Sequence, residues 1–224
     1  MSKNSFFSKF DIWVVFVIKL DPMKIKEKLI LTSLGIGAML FVFAYGDITG
    51  DHPIFQRESV KHDRIVKKIV DFMKEEGAIN SEKELAHTAN IIYKASRKHN
   101  VDYRLMLAIV KVESNFRHNV VSPKGARGLF QVKPSLAKYI ARDAGVHWNG
   151  TKTLDEPEKN IKIGVYFFSQ LLEDFDNLSL ALHAYNMGPT RLKKMLSENV
   201  RPNKNFSNLV LKEYKRITSI LPPS

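Results

Sequence analysis

The chain predicts an all-α fold, and three features of the sequence carry that prediction. Apolar residues recur at three- and four-residue spacing in successive segments, as in Ile65, Ile69, Phe72 and Met73. Helix-start and helix-stop chemistry brackets these segments, with Ser81 and Asp102 as caps, Pro157 in a first turn, and Gly77 and Gly145 as stops. No stretch alternates apolar and polar residues over a useful length, and no internal repeat or low-complexity run breaks the pattern. The expected result is about seven helices with functional loops between them.

Residues 1–22 hold a short apolar run that cannot span a membrane as a helix; they read as an upstream extension, with Met23 as the functional start. Residues 23–46 read as a signal peptide or an N-terminal membrane anchor. Lys24, Lys26 and Lys28 precede the apolar run 29–45, and Asp47 and Asp51 follow it, the charge order expected for export. Ala44 and Gly46 offer a cleavage point; retention would make 29–45 an inner-membrane anchor. Residues 47–80 read as a polar linker, 51–59, and a basic amphipathic helix from Val60, ended by Gly77.

The domain proper is expected over 81–224. Ser81 and Glu84 form a capping box for a helix from Glu82 to about His99. Asp102 caps the next, whose Leu105, Met106, Ile109, Val110 and Val112 are too many for one narrow stripe, so this helix is buried. Helices follow over 135–144, from Asp155 as cap to about Phe175, over 178–186, around Lys193 and Lys194, and over 205–220.

Composition bounds the function. The 224 residues, 44% of them hydrophobic, support one sizeable domain with appendages. Without cysteine the chain has no disulfide, no thiol nucleophile and no lipid-accepting cysteine. A net charge of +12 points to an anionic partner: nucleic acid, anionic phospholipid or an acidic wall polymer. The seven histidines form no metal-binding pair, so neither metal nor cofactor is expected. Gly125 and Gly128 lack the flanking strand of a phosphate loop or nucleophile elbow, and Asp174, Asp176 and Asn177 are too few for a calcium loop.

The stretch that carries chemistry lies at 101–134. Glu113 stands at the end of the apolar helix, with Ile109, Val110 and Phe116 at neighbour spacings, and faces a loop holding Ser122, Gly125, Gly128 and Gln131. Low local dielectric raises a carboxyl pKa, which equips such a group to donate a proton near neutral pH. The competing reading is an ion pair with Lys111 or Arg117.

Glu113-Ser114-Asn115-Phe116, then Ser122-Pro123-Lys124-Gly125-Ala126-Arg127-Gly128-Leu129-Phe130-Gln131 with Pro134, resembles the soluble lytic transglycosylase family, lysozyme-like enzymes that cleave the glycan of peptidoglycan. Asn160-Ile161 before Gly164 and Tyr166, and Ala184-Tyr185-Asn186-Met187-Gly188-Pro189, extend the resemblance in order over about half of the chain. It implies a lysozyme-like fold, with Glu113 as general acid and then base, and Tyr185 hydrogen-bonded to it. Ser122, Gln131, Tyr185 and Asn186 would contact substrate, Gly125, Ala126 and Gly128 would shape the loop, and Ser114 would cap or brace the glutamate. The partner implied is peptidoglycan glycan, in the periplasm or cell envelope. The basic surface would touch anionic membrane or wall polymer; nucleic acid is not expected, and oligomeric state stays open. Phe130 stands where relatives commonly have Met, and Lys133 where they are often apolar. A goose-type lysozyme-like hydrolase, with Asp102 or Asp143 positioning water, and a non-enzymatic glycan-binding subunit are the alternatives.

Overall fold

The computed structural model describes residues 53–223, and the side chains of 57–223. The upstream extension, the signal or anchor segment and the Met23 start lie outside the described residues. Eight α-helices and one 3-10 turn make up the described chain: α1 (Pro53–Glu75), α2 (Glu82–Lys98), α3 (Tyr103–Ser114), α4 (Pro134–Ile140), the turn Thr151–Asp155, α5 (Pro157–Phe175), α6 (Leu178–Met187), α7 (Pro189–Ser197) and α8 (Asn205–Ile220). The all-α expectation is met; the described residues add only isolated bridges pairing Arg127 with Val121 and Val132.

Local chemistry sets most boundaries where the residues dictate. Ser81 caps α2 reciprocally with Glu84, and the Asp102 side chain accepts the Arg104 amide at the start of α3. Asn177 caps α6 through Leu180, directly after Asp176 ends α5 in the left-handed conformation. Three boundaries differ from the sequence reading. Helix α1 begins at Pro53 rather than Val60, so part of the expected linker is helical. Proline suits a first helical turn, where its missing N–H leaves no bond unmade. Helix α4 ends at Ile140, with turns carrying the chain to Gly145. Asp155 does not cap α5: both its oxygens accept from Arg127, at 2.7 and 2.9 Å, and Glu156 takes the cap position without a side-chain capping bond.

Val60–Ser224 forms one compact unit that takes in most of α1. The reason is burial: Ile65, Ile69, Phe72 and Met73 of α1 join the same core as the later helices. Helix α3 runs through that core with every residue from Leu105 to Val110 buried. Helix α8 covers one side of it and α2 another, while α5 packs on both α2 and α6. This cover leaves the last turn of α3, Lys111 to Glu113, partly exposed, and there Glu113 sits.

Candidate active site

Glu113 is partly exposed at the last turn of α3. Beneath it Ile109, Val110 and Phe116 are buried, as the spacing required. The chain leaves the helix through two consecutive left-handed residues, Asn115 (φ 51°) and Phe116 (φ 62°). A bulky side chain in that region is strained, and here the strain turns Phe116 back into the core against Phe72, with ring centroids 6.0 Å apart.

The cations near Glu113 in sequence are engaged elsewhere. Lys111 pairs with Glu76 at 2.7 Å, and the Arg117 guanidinium bonds the Ser114 carbonyl. Ser114 does not brace the glutamate either: its hydroxyl donates to the Val110 carbonyl one turn back, the usual recourse of a serine in a buried helix. With no hydrogen bond or counter-ion among the described residues, burial pushes the Glu113 carboxyl up to about 7. That value leaves the group poised between acid and base at neutral pH.

Glu113 lines an open groove of about 780 Å³ shared with Ser122, Ala126, Gln131, Tyr185 and Asn186, so five of the residues assigned to substrate or loop roles meet there. Tyr185 differs in its bonding. Its hydroxyl donates to the Phe130 carbonyl at 2.6 Å rather than to Glu113, because that otherwise unpaired carbonyl faces it. Burial, and then the Glu113 charge, hold the Tyr185 phenol well above its ordinary range. Gln131 lines the groove and also ties the loop, donating to the carbonyls of Val120 and Gly128. Ser122 accepts the Ala126 amide and so closes the tight turn that contains Gly125.

Gly125 and Gly128 lie outside the groove lining. Gly128 is approached from within the protein: a Cβ there would stand 2.3 Å from the Asn160 side chain and 2.8 Å from the Leu154 carbonyl. Asn160, fully buried on α5, accepts the Phe130 amide and donates to the carbonyls of Arg127 and Leu154. Phe130 in turn packs on Gly164, one helical turn along α5, where a Cβ would lie 2.3 Å from its ring. The loop that forms one groove wall is thus pinned at Phe130 by both α5 and α6, and at Arg127 by α5 as well.

Several groove residues carried no signal in the sequence. Asn205, Phe206 and Leu209 come from the start of α8, Asn203 from the segment just before it, and Phe167 from α5. Phe206 stacks on Tyr185, with planes 13° apart. The residues around the start of α8 are far from the motifs in the chain, and the packing of α8 on α3 and α6 brings them in; Phe167 directly follows Tyr166 of a motif, but its own place in the groove was not signalled. Asn160 was legible as part of a motif, but its task as the loop's anchor was not. Glu113 is the only carboxylate among the described lining residues. Asp102 is held by Arg104 and Tyr214 away from the groove, and Asp143 is exposed beyond α4.

Fold and site together define a helical domain built around one desolvated acid at the mouth of an open groove. The family description that fits is the transglycosylase SLT domain, whose profile matches residues 90–208, over half of the chain, and the chain belongs to that family. A soluble lytic murein transglycosylase of Salmonella typhimurium is 32% identical over 106 residues, covering 46% of this chain and 16% of that protein. Membrane-bound lytic murein transglycosylase E of Buchnera aphidicola is 32% identical over 136 residues, covering 55% and 64%. The chain therefore spans less than two thirds of either relative. Among solved structures, an inactive mutant of the lytic transglycosylase Slt from Pseudomonas aeruginosa is similar at 26% identity and a TM-score of 0.45, covering 58% of this chain and 22% of that one.

Proposed function

We propose that this protein is a lytic transglycosylase that cleaves the β-1,4 bond between N-acetylmuramic acid and N-acetylglucosamine in peptidoglycan. The observation that carries the reading is the lone Glu113 carboxyl, raised to about 7 by burial alone, in a groove whose described lining holds no second acid. Family membership and the names of its relatives support murein as the substrate.

In the mechanism, protonated Glu113 gives its proton to the glycosidic oxygen as the bond from that oxygen to the muramic acid anomeric carbon breaks. The N-acetylglucosamine side leaves as an alcohol. The carboxylate then takes the proton of the muramic acid 6-hydroxyl as that oxygen bonds the anomeric carbon. A 1,6-anhydro ring results, Glu113 is protonated again, and no water is consumed. One group serves both steps, whereas hydrolytic glycosidases generally divide the work between two carboxylates. Tyr185 holds the loop through Phe130 and closes the groove floor with Phe206; Gln131, Ser122 and Asn186 face the glycan. The protein acts in the cell envelope, in keeping with relatives named membrane-bound.

Mass spectrometry of peptidoglycan digested by the protein and by Glu113→Gln tests this. Fragments ending in 1,6-anhydromuramic acid, absent with the variant, are expected. Reducing ends one water heavier would assign a hydrolase. Glycan bound but uncut by both proteins would assign a binding subunit.

A further inference from the structure

Three cations line the same groove, Lys124 and Lys133 from its loop wall and Arg191 from α7. All three are exposed, and none has a hydrogen-bond or ion-pair partner among the described residues. Their situation differs from that of neighbouring charges. On α7 itself Lys193 pairs with Asp174 and Lys194 with Glu198, and in the loop Arg127 is held by Asp155. The groove therefore keeps a net positive rim, whereas these three neighbouring cations are neutralised by carboxylates of the protein itself. Nothing but burial shifts Glu113, so none of these cations perturbs its charge appreciably. Their field is left for what lies along the groove on either side of the scissile bond. Lys133 stands just where the resemblance led to an apolar expectation, which makes the rim a feature of this chain.

We propose that Lys124, Lys133 and Arg191 form a carboxylate-reading rim that selects glycan strands by their acidic substituents, either the lactyl group of muramic acid or the peptides attached to it. The proposal rests on glycan being the occupant of the groove. Exposed lysine and arginine gain little from any single pair, but three converging on one polyanionic strand act together and fade with added salt. They are specificity residues that touch the substrate away from the reacting atoms.

Binding in the absence of turnover tests this. Fluorescently labelled strands are titrated into Glu113→Gln protein, with and without Lys124→Gln, Lys133→Gln and Arg191→Gln combined. Three strands are compared: peptide-bearing, amidase-treated with bare lactyl carboxylates, and amidase-treated with those carboxylates converted to methylamides. The expected result is an affinity about tenfold weaker for the combined variant on charged strands at low salt, and little change on the methylamide strand. A loss that persists on the amidase-treated strand identifies the lactyl carboxylate as the group read; a loss confined to the peptide-bearing strand identifies the peptide. Equal affinities on every strand, or an equal loss on the uncharged one, would overturn the proposal. Restoring Glu113 in the combined variant should raise KM on charged strands and leave kcat near the parent's. Since the titration needs no cleavage, failure of the bond-cleaving assignment leaves its outcome readable.

Discussion

Glu113 holds its proton because the protein offers its anion nothing in exchange for water. Burial raises its pKa from the ordinary 4.5 to about 7, and no cation or donor offsets that rise. Two consequences have definite signs. Proton donation requires the acid form, so the rate should fall as pH rises through about 7, a limb read from kcat/KM against pH. Folding binds the proton more tightly than the unfolded chain does, so this group's contribution is fully favourable below about 4.5 and is lost as pH rises to about 7. Glu113→Gln should therefore raise stability by about 2–3 kcal/mol at pH ~8 and change it little at pH ~4, measured by denaturant unfolding. The loop glycines give a second contrast. Gly125 has φ +75° with open space around it, so Gly125→Ala should cost only the backbone strain, about 1–2 kcal/mol. Gly128 has the same φ but meets Asn160 and the Leu154 carbonyl, so Gly128→Ala should cost about 3 kcal/mol or more. At this scale much was legible: an acid on an apolar helix and a glycine-bearing loop are visible in the residues. The partner of Tyr185 was not, because which carbonyl faces its hydroxyl depends on how the loop closes.

The loop between α3 and α4 keeps its shape by borrowing rigidity from α5. Asn160 satisfies the Phe130 amide and two carbonyls, and Gly164 supplies the notch into which the Phe130 ring fits. Asn160→Asp keeps the acceptor for Phe130, loses both donors and sets a charge against two carbonyl oxygens. It should destabilise the fold by about 2–4 kcal/mol. Hydrogen exchange should quicken in the loop before it quickens in α3, because the wall loosens while the core helix keeps its cover. Equal exchange in loop and helix would show that Asn160 serves the core and not the wall. Helix identity was legible almost throughout, since caps and apolar periodicity are local. The start of α1 and the cap of α5 were misread for one shared reason. Pro53 and Asp155 have local options, turn or cap, that the residues alone do not rank; a distant partner, Arg127, decided the second.

The helices farthest apart in the chain are tied by one carboxylate. Glu76, at the end of α1, receives Lys111 of α3 and Arg216 of α8, each at 2.7 Å. Those cations lie over the rings of Phe116 and Phe72, which pack edge to face beneath them. Tyr214 of α8 adds a hydrogen bond to Asp102 at the other end of α3. Sequence could not disclose this tie, because its members are spread from residue 76 to residue 216 and each reads locally as a solvated charge. Burial pushes the Glu76 carboxyl up, but the bonds from Arg216 and Lys111 outweigh it and hold the group below its ordinary 4.5. Its contribution is present above about 4.5 and is lost as pH falls through the lowered value, the opposite sense to Glu113. Glu76→Gln strands two cations and should cost about 2 kcal/mol at neutral pH, shrinking in acid. The two glutamates thus bound the stability profile from either side, with Asp102 and Glu158, also lowered, sharing the acid limb. Thermal unfolding across pH should place the maximum for the parent between about pH 4.5 and 7, move it upward in Glu113→Gln, and flatten only the acid limb in Glu76→Gln. A maximum unmoved by Glu113→Gln would mean that the acid is not desolvated in the folded protein, and the poised carboxyl on which the cleavage mechanism depends would go with it.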